Sequence, residues 1–585
     1  MKNSFENINM VWGYLIIEEL IRNGARYFCL SPGSRSAPLA IAIARHEQVR
    51  SLVCYDERGA AYHALGYARA TGTPAVVITT SGTAVANCLP AVVEASRDHI
   101  PLIILSADRP PELRETAANQ TIRQPGIFGD YVRWQFDLPC PQDSIPPAMV
   151  LTTVDQLFYR SVYPPPGPVH LNCMFREPLA PIAEPYSADY LSSLGGCREN
   201  PDPYTVYRKP ECRADEETIR QILDKLNSAV RGILVVGHLK SEREKEAVAQ
   251  LARQLGWPLF ADIRSGLRLE SDEIPLVPYF NHLFECEAGK RLIQPEVVLH
   301  LGGPLTSKRF LQFLEADTAC EYLQVADHPE RHDPAHRANF RVTSDLSLFC
   351  DQLTPRLNPP KDKNWVQNLV QLSAEIGEVF EARLLKTEKI SEPAVARMIS
   401  RLIPRDSALF LASSMPVREM DWFAAPGTGK PPIAANRGSS GIDGTIASAA
   451  GFAAGLQKPL TLLIGDQACL HDLNSFSLLK FLNQPVVVVL INNQGGGIFH
   501  FLPVADYPEV FESFFAAPHE YTFRATAEQF GLSYYHPATL QEFQTAYNTA
   551  LQNAGSSLIE LRTDRQENVV LHRQIWEEIR KRFSR

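Results

Sequence analysis

Pro459 to Phe499 reads PLTLLIGDQACLHDLNSFSLLKFLNQPVVVVLINNQGGGIF, and two apolar runs in it decide the fold. Leu460 to Ile464 is apolar apart from Thr461 and stops at Gly465-Asp466; Val486 to Ile491 is apolar throughout and stops at Asn492-Asn493. Continuous apolar runs suit parallel strands covered on both faces. The periodic DLNSFSLLKFL between them is expected to form a crossover helix. Both polar tips then lie at the carboxyl edge of one sheet, where open α/β folds bind ligands.

The rest of the chain extends that pattern outward. At 585 residues it has room for several domains, and 45% hydrophobic with 21% charged residues marks an ordinary globular composition. A formal charge of −9 speaks against a general polyanion binder, so any arginine cluster is a local feature. The eleven cysteines form no CxxC pair and no metal-ligand spacing, as expected of reduced thiols in a cytoplasmic protein. The stretch MKNSFENINMVWGYLIIEEL has acids and an amphipathic pattern instead of a targeting signal.

Strands are expected at Tyr27 to Leu30, Ser51 to Cys54, Ala75 to Thr79, Leu102 to Ser106 and Val169 to Asn172, with helices from about Arg58 to Ala70 and Thr83 to Ser96. From Glu177 to Pro210 the texture turns rich in Pro, Ser and Gly and reads as a linker. A second α/β unit follows, with strands at Gly232 to Val236, Leu259 to Ala261, Val297 to Leu301 and Glu321 to Val325. The third has strands at Ala408 to Ala412, Leu460 to Ile464, Val486 to Ile491 and Leu558 to Leu561. The fold class is therefore α/β, with three doubly wound parallel-sheet domains expected at 1–180, 211–354 and 365–585. Their similar size suggests duplication or a shared architecture, although no residue-level repeat is visible.

Asp466 and Asn493 stand 27 positions apart, about a helix plus a strand. A carboxylate, a carboxamide and a carbonyl from Gly495 are hard oxygen ligands that leave positions open on Mg²⁺ for phosphate. Gly495, Gly496 and Gly497 permit close backbone approach to a diphosphate. The bland alternative is a helix cap and a turn. A GD followed about thirty residues later by NN resembles the diphosphate-binding motif of thiamine diphosphate enzymes, except that Gln467 stands where that family usually has Gly.

A second signature lies in CYDERGAAYHALGYARATG, where Glu57 sits at a strand-to-helix junction. Alone it reads as an acid at a helix N-terminus. In thiamine diphosphate enzymes a glutamate in this context hydrogen-bonds the aminopyrimidine N1′. Thr80, Ser81 and Gly82 resemble the same family's pyrimidine-domain loop. The resemblance implies thiamine diphosphate with Mg²⁺, or Mn²⁺ in its place, held through Gly465, Asp466, Asn493 and Gly495. It further implies a homodimer or homotetramer with active sites shared between subunits.

Arg35 in SPGSRS, Arg109 in ADRPPELR, Lys308 and Arg309 in TSKRF, Arg418 in SSMPVREMDWF and Arg437 in NRGSSGIDG all fall at or just beyond expected strand ends. Guanidinium forks suit carboxylates, and several around one pocket point to substrates with more than one. With DERG and ANQTI in the same order, the set resembles the 2-succinyl-5-enolpyruvyl-6-hydroxy-3-cyclohexene-1-carboxylate synthases of menaquinone biosynthesis, a branch of that family. The resemblance implies decarboxylation of 2-oxoglutarate and 1,4-addition of the succinyl carbanion equivalent to isochorismate, with the enolpyruvyl group retained. It assigns Ser34, Arg35, Arg109, Asn119, Gln120, Lys308 and Arg309 to isochorismate, and Ser414, Arg418 and Arg437 to the succinyl end. Glu57, Arg418 and Arg437 become the catalytic candidates. Ile442 is the candidate wedge that bends the cofactor, its alternative being a core isoleucine. Another 2-oxoacid enzyme of the family, a decarboxylase or acetolactate-type synthase, is the nearest rival, and a non-catalytic descendant is the rival of another class. A plain nucleotide-binding fold is disfavoured because no GxGxxG follows the first strand. No nucleic-acid or membrane partner is expected.

Overall fold

The apolar runs become the inner strands of three all-parallel sheets in a computed structural model that describes residues 5–270, 274–316, 319–427 and 431–584. The first sheet holds β1 (Tyr27–Leu30), β2 (Arg50–Val53), β3 (Ala75–Thr79), β4 (Leu102–Asp108), β5 (Trp134–Leu138) and β6 (Pro168–Met174), in the order β2-β1-β3-β4-β6-β5. The second holds β7 (Gly232–Val236), β8 (Leu259–Ala261), β9 (Val297–Leu301), β10 (Glu321–Ala326) and β11 (Phe340–Thr343), in the order β11-β10-β9-β7-β8. The third holds β12 (Ala408–Leu411), β13 (Ile433–Ala435), β14 (Leu460–Gly465), β15 (Val486–Asn492), β16 (Ser533–Tyr535) and β17 (Ser557–Arg562), in the order β13-β12-β14-β15-β17-β16. Sheets one and three thus repeat a single winding, which answers the question of shared architecture without any sequence repeat.

Contacts divide the chain into two units. The first comprises Met1–Pro210, Asn436–Gln457 and His471–Asn483. Its core gathers Trp12, Leu15, Ile16, Phe28, Ile78, Ile103, Leu105 and Leu171. Tyr190, Leu191 and Leu194 join that core, and the Trp12 indole donates to Tyr190 Oη at 2.9 Å. Part of the expected linker is therefore packed against this unit: a few scattered apolar residues, Leu179 among them, suffice to anchor it without a sustained period. The helix Glu57–Thr71 crosses the helix Thr445–Leu456 at a contact that only glycines allow. A Cβ at Gly66 would stand 2.0 Å from the Ser448 carbonyl oxygen, and one at Gly451 would stand 1.9 Å from that of His63.

The second unit comprises Glu211–Ala435, Lys458–Leu470 and Gln484–Arg585. Sheets two and three share a core in which Phe260, Phe280, Phe380, Phe423 and Phe543 are fully buried. Buried Asp421 joins the two halves, accepting from Ile263 N and from Asn281 Nδ2, both at 3.0 Å. In sheet three β14 and β15 pair from Leu460 with Val486 to Gly465 with Ile491, so the acid and amide tips adjoin.

The crossover between them departs from expectation. Instead of one helix, a short turn of helix Asp466–His471 gives way to 3-10 turns over Leu473–Phe481. Asp472 explains the break: its buried carboxylate accepts from Ile446 N at 2.7 Å, Ala447 N at 3.0 Å and Ser475 Oγ at 2.7 Å. A side chain serving another segment's amides overrides helical periodicity. Among the described residues no helix is long and apolar enough to cross a membrane, and all eleven cysteines are free.

Candidate active-site residues

At the carboxyl edge of sheet one, loops after β1, β3 and β4 converge. Gln120 Nε2 donates to the Ser81 carbonyl at 2.9 Å, and Gly82 N donates to Gln124 Oε1 at 2.9 Å. Gln124 is fully buried and also donates to Asn172 Oδ1 at 2.8 Å. Asn172 in turn donates to Asp108 at 2.9 Å and Asp137 at 2.7 Å, both of which pair with Arg114. A buried polar network of this kind holds the loops above it in one arrangement.

Two cations sit on that base. Arg35 donates to the Phe175 carbonyl at 2.9 Å and meets the exposed Glu177 carboxylate at 3.3 Å. Burial lowers the Arg109 pKa, and the Arg35 guanidinium beside it lowers it further. Ser31 Oγ, Ser81 Oγ, Arg35 Nε and Arg109 Nη1 are buried without a hydrogen-bond partner. Unpartnered donors beside two guanidiniums suit a small anion with several oxygen acceptors. Thr80 is buried, whereas Ser34, Asn119 and Gln120 are exposed on the rims of these loops.

Glu57 opens its helix behind the N-cap Asp56, is half-buried, and accepts from Asn87 Nδ2 at 3.3 Å. The loop with Arg437 and Ile442 is fixed from within the same unit. Buried Glu94 accepts from Gly438 N at 2.8 Å, Ser439 N at 2.7 Å and Ser439 Oγ at 2.9 Å. Tyr62 donates to Asp443 in the same loop. Arg437 and Ile442 are both half-buried.

The edge of sheet three has a different character. Asp466 is 2% exposed; its carboxylate accepts from Gln467 N at 2.6 Å and Gly495 N at 3.0 Å, and His519 Nε2 lies 3.3 Å away. Burial raises its pKa, and His519 opposes the shift. Asn493 donates from Nδ2 to Glu392 at 2.9 Å, while its Oδ1 is buried with no hydrogen-bond partner. Gly495 has φ +151°, and a Cβ there would stand 2.5 Å from the Ala516 carbonyl oxygen. A buried carboxylate, an amide oxygen lacking a donor and a glycine turn fit a hard divalent cation with its diphosphate. Glu392 is itself pushed up to about 8 by burial and by nearby Glu419.

Gln467, which departs from the usual motif, has a visible task. Its side-chain amide donates to the carbonyls of Ala516 at 3.1 Å and Ala517 at 3.4 Å, and Gly496 N reaches the same Ala516 oxygen at 2.7 Å. Beside β12, Ser414 adopts φ +71°, an uncommon backbone state for a residue with a side chain, and its carbonyl accepts from Arg418 Nη1 at 2.6 Å. Burial lowers the Arg418 pKa, with Asp421 opposing.

Lys308 and Arg309 behave unlike each other. Lys308 begins the helix Lys308–Ala316 and is exposed. Arg309 pairs with Glu285 and lies 4.8 Å from the Trp576 ring centre; burial, with Arg580 nearby, brings it down to about 10. Its visible partners are structural. Sequence reasoning missed Glu94, Gln124, Glu392 and His519, because each is placed by contacts distant along the chain and none stands in a motif.

Three stretches match known families. Residues 10–127 match the N-terminal TPP binding domain of thiamine pyrophosphate enzymes, 188–411 the middle domain of thiamine pyrophosphate, and 429–561 the C-terminal TPP binding domain. A protein of Rubrobacter xylanophilus, named 2-succinyl-5-enolpyruvyl-6-hydroxy-3-cyclohexene-1-carboxylate synthase, is 50% identical over 98% of this chain and 99% of its own length. Proteins of the same name from Salinibacter ruber and Prosthecochloris aestuarii are 44% and 41% identical, over 97% and 99% of this chain and 96% and 99% of theirs. A solved structure described as a thiamin diphosphate-dependent enzyme from Mycobacterium smegmatis superposes with a TM-score of 0.71 at 19% identity, covering 96% of this chain and all of that one, and so shares the fold.

Proposed function

The chain belongs to the 2-succinyl-5-enolpyruvyl-6-hydroxy-3-cyclohexene-1-carboxylate synthases, a branch of the thiamine diphosphate enzymes, and on that premise we propose that it decarboxylates 2-oxoglutarate and transfers the remaining succinyl unit to isochorismate in menaquinone biosynthesis. The observation that carries the reading is the edge of sheet three, where Asp466, the unpartnered Asn493 Oδ1 and the Gly495 turn meet.

Asp466, Asn493 and the Gly495 carbonyl would hold Mg²⁺, or Mn²⁺ in its place, and Gly465 with the glycines would admit the diphosphate. When bound, thiamine diphosphate supplies the electron sink that carbon–carbon cleavage next to a carbonyl requires. Glu57 would hold a proton between its carboxyl group and the pyrimidine N1′, with Thr80, Ser81 and Gly82 beside the pyrimidine and Ile442 as the apolar wedge. Arg418, anchored on the Ser414 carbonyl, and Arg437 would fix the distal carboxylate of 2-oxoglutarate. Arg35 and Arg109 would take the carboxylates of isochorismate, with Ser34, Asn119 and Gln120 on the rim and Lys308 and Arg309 contributing from the central region. We further propose domains at 1–180, 211–354 and 365–585, a cytoplasmic location, and a homodimer or homotetramer in which the pyrimidine-binding region of one subunit completes the site of another.

The test is direct. With thiamine diphosphate and Mg²⁺, purified protein is expected to release CO₂ from 2-oxoglutarate and to consume isochorismate. Release from pyruvate but not from 2-oxoglutarate would sink the assignment in favour of another 2-oxoacid enzyme of the family. Glu57→Gln is expected to keep cofactor binding, followed by calorimetry, while turnover falls by roughly 10²- to 10⁴-fold, the usual scale of a lost general acid–base group. Full activity in that variant would refute the role.

A further inference from the structure

We propose that Glu392 is a positioning residue that fixes which end of the Asn493 carboxamide faces the divalent cation. The inference rests on the reading of Asp466 and Asn493 as metal ligands. It concerns a residue that no sequence motif marks.

A carboxamide has two nearly isosteric ends, an oxygen that can ligate a cation and an NH₂ that cannot. Rotation by half a turn exchanges them. An asparagine ligand therefore works only where something else claims its nitrogen. Here Glu392 does so. It occupies the first position of the helix Glu392–Leu402, behind the N-cap Ser391, and is 4% exposed. One carboxylate oxygen, Oε1, accepts from Asn493 Nδ2 at 2.9 Å and from Thr563 Oγ1 at 3.3 Å. With Nδ2 engaged, Oδ1 must point the other way, and it is the buried atom without a hydrogen-bond partner. An acceptor engaged by Nδ2 also polarises the amide, placing more negative charge on the ligating oxygen.

Glu392 also stands on the wall of a cavity of about 560 Å³ that it shares with Thr563 and Asn568. Truncation to alanine would admit water, which could replace the lost acceptor. Leucine keeps the bulk and removes the acceptor. Glutamine keeps an acceptor oxygen of the same reach.

The experiment is a titration of the full-length protein with Mn²⁺ in the presence of thiamine diphosphate, read as free Mn²⁺ by electron paramagnetic resonance, with circular dichroism to verify folding. Glu392→Leu is expected to bind Mn²⁺ roughly 10- to 100-fold more weakly, the usual cost of losing a group that orients a metal ligand. Glu392→Gln is expected to stay within about threefold of the parent, since its acceptor survives. Glu392→Asp, which withdraws the carboxylate by one methylene, is expected to weaken binding at least about fivefold. Parent-like affinity in a folded leucine variant overturns the proposal, as does a glutamine variant as weak as leucine. If leucine does not fold, parent-like affinity in the aspartate variant overturns it alone. A parent protein that binds no Mn²⁺ removes the metal reading itself, and this inference with it.

Discussion

Sheets one and three share one winding, yet the strand tips at matched positions carry different chemistry. The order β2-β1-β3-β4-β6-β5 of the first is matched strand for strand by β13-β12-β14-β15-β17-β16 of the third. At matched positions, β3 runs into Thr80-Ser81-Gly82 where β14 runs into Asp466-Gln467, and β4 runs into Arg109 where β15 runs into Asn493. The first edge sets Arg35 and Arg109 with the unpartnered hydroxyls of Ser31 and Ser81; the third sets the Asp466 carboxylate and the unpartnered Asn493 amide oxygen, with the guanidiniums of Arg562 and Arg565 at the same edge. The winding supplies positions and the loops supply function. After β1 and β12, by contrast, each sheet places an arginine near a turn, Arg35 and Arg418, and there the two edges agree.

The sharpest way to break this contrast is at Asp466. Asp466→Ala removes the only carboxylate that accepts from the Gly495 amide among the described residues. We expect the thermal stabilisation produced by thiamine diphosphate with Mg²⁺ to vanish and turnover to drop by more than about 10³-fold, because positioning and charge neutralisation are lost together. Retained stabilisation, measured by differential scanning fluorimetry, would mean that the third edge is not the anchor.

An intermediate effect should separate the arginines. Arg109→Ala removes a charge-assisted contact to a carboxylate, about 1.5–3 kcal/mol, or roughly 10- to 150-fold in kcat/KM for isochorismate. CO₂ release from 2-oxoglutarate alone should barely change. Arg418→Ala should do the reverse, raising KM for 2-oxoglutarate by a similar factor. Steady-state kinetics with each substrate varied decides the matter, and equal losses on both substrates would erase the division of labour.

How much of this was legible before the structure depends on range along the chain. The inner strands were legible because a strand buried on both faces must be continuously apolar, as Val486–Asn492 is almost to its end. The strands that escaped, Trp134–Leu138, Phe340–Thr343, Ile433–Ala435 and Ser533–Tyr535, all lie at sheet edges. Three of the four carry partly exposed residues, and Ile433–Ala435, though buried, is only three residues long. The site divides similarly. Strand-tip residues such as Asp466 and Asn493 could be read because a polar residue closing an apolar run stands out. Their supports could not: Glu392 is 101 positions from Asn493, and Glu94 is 344 from Gly438. Only folding brings such pairs together. The expected crossover helix failed for the same reason, since Asp472 serves amides 25 and 26 positions away.

A subtler effect tests Gln467, where the third edge departs from the usual diphosphate-binding motif of thiamine diphosphate enzymes. Gln467 occupies a position where a glycine would offer no side chain, and its amide spans to the carbonyls of Ala516 and Ala517. That holds the segment Glu512–His519, which carries His519 to Asp466. Gln467→Ala removes both hydrogen bonds without the added helix penalty of glycine. Two partly exposed hydrogen bonds contribute about 1 kcal/mol in total. Amide exchange over 512–519 should therefore speed up about fivefold, with affinity for thiamine diphosphate falling by no more than about the same factor. If exchange there is unchanged, the amide is not a latch. If affinity falls by orders of magnitude while exchange does not move, Gln467 touches the cofactor directly, and the glycine of the usual motif has been replaced by a ligand.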